Sequence, residues 1–128
     1  MDFLSQDILF FFRGHEAALP LYAAFAGRLA AQFPESRVKV QKTQISFSGR
    51  HIFACVSFLR VRRKAELPES YFVLTLGLPY ALDSDRVAGK TEPYPGRWTT
   101  HIVISEPSDL DDTLFAWVEE AYAFSEKK

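Results

Sequence analysis

The stretch from Arg97 to Ser105 constrains this chain more than any other, because its alternate residues differ in chemistry. On an extended strand Trp98, Thr100, Ile102 and Ile104 point one way, and Arg97, Thr99, His101 and Val103 point the other. One face asks for a core and the opposite face suits water or a ligand. The strand runs into Glu106-Pro107-Ser108-Asp109, where Ser108 or Asp109 is expected to cap a terminal helix. Asp111 and Asp112 favour the positive end of that helix, and Leu110, Leu114, Val118, Ala121, Tyr122 and Ser125 form its apolar stripe with Trp117 beside it.

The other elements follow from period and punctuation. Ser5 and Asp7 offer caps for a short helix through Phe12, ended by Gly14. A longer helix is expected from about Ala18 to Phe33. Pro20 suits its first turn, Leu21, Phe25, Leu29 and Phe33 form a stripe, and Pro34 stops it. The period then changes to two. Val38 and Val40, then Ile45 and Phe47, read as strands, with a turn at Ser48-Gly49. His51 to Val61 reads as a central strand and Tyr71 to Leu76 as the next. Gly77 to Gly96, with its Pro and charged residues, reads as a long irregular loop. The order predicts a single α+β domain over 1–128: an antiparallel sheet covered on one face by N-terminal helices and a C-terminal helix, a two-layer sandwich.

Composition narrows the function classes. A 128-residue chain can withdraw roughly two-thirds of its unfolded surface from water, and twelve Phe make its core ring-rich. Fifteen Lys plus Arg balance sixteen Asp plus Glu, which argues against a globally basic nucleic-acid binder but not against a local basic patch. Cys55 stands alone, so no internal disulfide forms and a reducing cytoplasm is the expected compartment. The apolar run Ile8 to Phe12 is too short to cross a bilayer, and no membrane partner is expected. Three consecutive rings, Phe10 to Phe12, cannot all face one way on a helix, so one of them is expected to lie exposed or to cover a partner such as another protein or a second copy.

Lys42-Thr43-Gln44-Ile45-Ser46-Phe47, Phe53-Ala54, Arg97, His101, Asp111, Trp117 and Ala121-Tyr122 together resemble an uncharacterised bacterial domain family associated with predicted transport proteins. The tail, a Trp- and Thr-bearing strand before a helix with Ala121-Tyr122, is also similar to the MmcQ/YjbR family. The resemblance implies a small α+β fold distantly like frataxin and, for MmcQ/YjbR, a DNA-binding tendency. It supplies no catalytic residue.

The candidate sites follow. Arg97 and His101, with Trp98 at the edge and Lys42, Ser46 or Arg50 from a neighbouring strand, would form a cationic, hydrogen-bonding surface for an anionic small molecule or peptide. The competing reading pairs Arg97 with a loop carboxylate and spends His101 on backbone groups. Arg60, Arg62, Arg63 and Lys64 form the densest basic cluster, either a nucleic-acid wing or a solvated hairpin tip. His101 could also serve an enzyme as acid or base near neutral pH. His15, His51, His101 and Cys55 lack metal-ligand spacing, Cys55 reads as a small core residue, and no cofactor motif is present. The expectation is a non-catalytic binding module without metal or cofactor.

Overall fold

A computed structural model describes residues 5–127, apart from the side chain of Lys64. Among the described residues three α-helices and six strands occur in the order α1 (Gln6–Phe11), α2 (Leu19–Gln32), β1 (Arg37–Val40), β2 (Gln44–Ser48), β3 (Ile52–Ser57), β4 (Phe72–Leu78), β5 (Val87–Tyr94), β6 (Arg97–Ile104) and α3 (Asp112–Glu126). The strands form one antiparallel sheet in the order β1-β2-β3-β4-β6-β5. It is an α+β fold.

One sheet face carries the core. Direct cross-strand partners set Val40 opposite Ile45, Ile45 opposite Val56, Val56 opposite Leu74, and Leu74 opposite Ile102. Ile45, Val56, Leu74 and Ile102 are almost wholly buried. The stripe of α2 lies on them: Phe25 is fully buried with its ring 5.7 Å from Phe47, 5.8 Å from Phe72 and 5.7 Å from Phe115. Ring pairs in tilted and edge-on contact add to simple area burial. Arg28 ties the two helices together, pairing with Asp112 at 2.6 Å while its guanidinium covers the Phe115 ring at 4.2 Å.

Several expectations shift. The irregular loop from Gly77 to Gly96 contains strand β5, paired to β6 along its length. As an edge strand it tolerates Gly89, which resumes the pairing opposite His101 after a register shift at Ala88, and Pro93, which lies within a second shift. Gly96, at φ +83, makes the turn into β6. The strand expected from His51 to Val61 is shorter, ending at Ser57, and β4 extends past Leu76 to Leu78. The terminal helix is capped by Asp111, whose carboxylate accepts from the Leu114 N–H at 2.9 Å. Ser108 and Asp109 belong to a short 3-10 turn instead, with Asp109 accepting the N–H groups of Ser105 and Glu106.

In β3 the register slips between Phe47 and Ser48, giving one extra residue at Phe53. This bulge swings the Phe53 ring to the helix side, edge-on to Tyr122 at 5.1 Å and to Phe33 at 5.5 Å. Helix α1 closes one end of the sandwich. Ser5 caps it; Phe12 is wholly buried against Tyr22 and Phe58, Phe11 stacks on Phe58, and Phe10 remains 69% exposed.

Candidate functional site

The sheet face away from α2 and α3 carries a row of small polar residues across its strands. Register places Lys39 opposite Ser46, Ser46 opposite Cys55, Cys55 opposite Thr75, Thr75 opposite His101, and His101 opposite Gly89. Alternation puts these on the reverse of the core-facing Val40, Ile45, Val56, Leu74 and Ile102. The Thr75 hydroxyl and His101 Nδ1 lie 2.9 Å apart, and Ser46 is held by Gln41 and Gln44 at 3.0 and 2.9 Å. Burial pushes the His101 pKa down, which favours the neutral imidazole. Burial likewise pushes the Cys55 thiol up, opposed by the Ser46 hydrogen bond and by the charge of Arg97. The floor is therefore uncharged.

A groove of about 650 Å³ lies on this floor. Cys55, Ser57, Thr75, Thr99 and His101 form its base, while Phe11, Phe58 and Leu59 wall one end. His15 stacks flat on Phe58 at 3.8 Å. The cations Arg13 and Lys42 also line that end, and among the described residues no Asp or Glu lines the groove. The nearby Glu16 carboxylate accepts from the Gly14 N–H at 3.1 Å.

Arg97 lies on the same face two residues before Thr99, beside the groove and outside its lining. Its guanidinium rests on Gly77, so near that a Cβ there would meet Nη1 at 2.7 Å and Nη2 at 2.9 Å. Gly77 opposes Thr99 of the floor, and the guanidinium is close enough to act on the Cys55 thiol. No carboxylate of a described residue lies within 4.0 Å of it. The expected loop carboxylate goes elsewhere: among the described residues it is Arg86 that pairs with Asp111, at 2.9 Å, while reaching the Asp109 carbonyl.

The structure thus brings together part of the anticipated set. Arg97, His101, Ser46 and Lys42 share the open face or its rim. Trp98 does not join them, because it opposes Leu78 on the helix-covered face. Arg50 does not either; it lies in the β2–β3 turn, where its N–H donates to Glu126 of α3 at 3.0 Å. Cys55 belongs to the groove floor rather than the core. Thr75 and Gly77 were not singled out by the sequence reading, although their alternation with Leu74 and Leu76 carries the signal. The wall of Phe11, Phe58 and His15 joins segments more than forty residues apart and leaves no local mark.

The basic cluster lies on the β3–β4 connection, not a tight hairpin tip. Arg60, Arg62 and Arg63 line a second, shallower hollow with Ala88 of β5, and among the described residues Glu66 is the one acid lining it, 4.0 Å from Arg63. The Lys64 side chain lies outside the described residues. At this end of the open face Leu67, Pro68 and Val103 line a common hollow, and Val73 is fully buried.

A family model for a domain of unknown function, DUF5655, matches residues 10–125. The chain belongs to the DUF5655 family. The match takes in all six strands, α2 and nearly all of α3, so the groove lies wholly within this DUF5655 domain. No curated protein and no solved structure matches the chain. No described helix is long and apolar enough to cross a membrane.

Proposed function

We propose that this DUF5655 domain is a non-catalytic binding module whose open sheet face holds a small organic anion. One observation carries the reading: an uncharged hydrogen-bonding floor, lined by no described carboxylate, has beside it on the same face a partly buried guanidinium that no described acid pairs with. A cation in that setting gains from a carboxylate or phosphate, and a planar guanidinium can meet either through two hydrogen bonds. The volume suits a small molecule, since ligand pockets commonly span roughly 300–1,000 Å³. Cys55, without a disulfide partner, supports a reducing cytoplasmic setting.

Titration of the labelled protein with benzoate, phenyl phosphate and benzamide, followed by amide chemical shifts, tests the reading. The two anions should perturb Thr75, Thr99 and His101 while the neutral amide leaves them unmoved. Perturbations confined to the helices, or none with either anion, would refute it.

A second reading has its own support in the convergence of Arg60, Arg62 and Arg63 on one hollow. There the module would meet a nucleic-acid backbone, with affinity falling steeply as salt rises. Absence of duplex binding at low salt removes this alternative.

A further inference from the structure

Resting on the small-anion reading of the groove, we propose that its ligand carries a negative group at each end of an elongated body, bridging Arg97 at one end and the Arg13–Lys42 pair at the other. The register sets the scale. Gly77, beneath the Arg97 guanidinium, lies four residues from Val73, which opposes Ser57, which in turn opposes Gln44; Lys42 is two residues further on. Four residue positions at about 3.3 Å each separate Gly77 from the Val73–Ser57–Gln44 row by roughly 13 Å along the strands, and Lys42 lies in the turn beyond that row.

The cations at the two ends come from unrelated parts of the chain. Arg97 begins β6, Arg13 follows α1, and Lys42 lies between β1 and β2. What separates them is uncharged: Cys55 and Thr75, then Ser57 and Thr99, with Phe11, Phe58 and Leu59 alongside. A single anionic group can satisfy only one end. It leaves the other cation facing a groove that no described acid lines, so a compact anion uses half of what the face offers. A ligand charged at both ends gains the second contact as an intramolecular event, which multiplies affinity without new surface. At the Arg13 end the Glu16 carboxylate is close enough to feel the charges of His15 and Arg13, which leaves Lys42 as the chief cation there. Arg37 and Lys39 of β1 share the open face by register, both exposed and both basic. Glu92 of β5 is committed to the Gly96 N–H at 3.2 Å.

The test compares dodecanedioate with its monomethyl ester by calorimetric titration, the two being matched in length and differing by one charge. The diacid should bind at least about tenfold more tightly, a difference near 1.4 kcal/mol. Succinate, too short to bridge, should bind no better than the monoester. In Arg97→Gln the diacid and the monoester should converge, and in the Arg13→Gln, Lys42→Gln double variant they should converge again. Gly77→Ala, which keeps every charge but displaces the guanidinium, supplies an independent arm, and amide spectra of each variant check the fold. If diacid and monoester bind equally well to the groove, the two-ended ligand is wrong while the anion site stands. An advantage that survives Arg97→Gln is equally fatal to it. If no carboxylate perturbs the groove, the functional reading falls as well.

Discussion

The guanidinium of Arg97 lies against Gly77 of the neighbouring strand, at distances that leave no room for a methyl group. Because that charge also favours the Cys55 thiolate, Gly77→Ala and Arg97→Gln should both raise the Cys55 pKa above its already elevated position. Alkylation of Cys55 by iodoacetamide at mildly alkaline pH should then slow in both variants. Unchanged rates would mean that the guanidinium does not reach the thiol.

His101 predicts an acid-sensitive limb of stability. Its folded pKa is lowered by burial below the ordinary 6.5, so the unfolded chain takes up the proton first. Stability should be unaffected by this group above that value and should decline as pH falls through it toward the folded pKa. His101→Gln should flatten that limb in urea midpoints taken from pH 7.5 down to pH 5. A limb that persists undiminished assigns the effect to other groups.

Asp111 behaves in the opposite sense. The Leu114 N–H and then the Arg86 guanidinium hold its carboxylate below the usual range. Its contribution is therefore present above the unfolded value of 3.8 and is lost as pH falls through the folded one. Asp111→Asn keeps an oxygen for the cap and loses the ion pair, whereas Asp111→Ala loses both. Thermal midpoints at pH 7 should fall in that order, and equal midpoints for Asn and Ala would assign no role to the cap.

Phe25 is the ring that joins α2 to both the sheet and α3. Truncation to Ala should cost about 3–5 kcal/mol, since the surrounding strands cannot collapse into the space. Against a total stability of roughly 5–15 kcal/mol this shifts the urea midpoint far, with little change in slope. A loss under about 1 kcal/mol would show that the neighbouring rings repack.

Strong local periodicity was readable in the chain. The two-faced strand of Arg97 to Ile104 places Ile102 and Ile104 in the core and His101 outside it, and the stripe Leu21, Phe25, Leu29, Phe33 is buried throughout. Strand β5 was hidden because Gly89, Pro93 and a run of exposed polar residues are tolerable only at a sheet edge, a position set by pairing rather than by composition. Trp98 was drawn into the site by nearness in sequence to Arg97, yet adjacent residues on a strand face opposite ways. The walls of the groove depend on α1 folding back onto Phe58, a contact that no short-range pattern encodes. Near-neutral total charge also conceals this groove, because every described Asp and Glu lies outside its lining.

The extra residue in β3 has a consequence for this seat. Continued without interruption, the pairing of Ala54 with Leu76 and Cys55 with Thr75 would set residue 53 directly across from Gly77. A benzyl group would then occupy the space where the Arg97 guanidinium now rests. By turning that ring inward, one residue of surplus strand length keeps the berth open, and removing it would silence the cation without touching any charge.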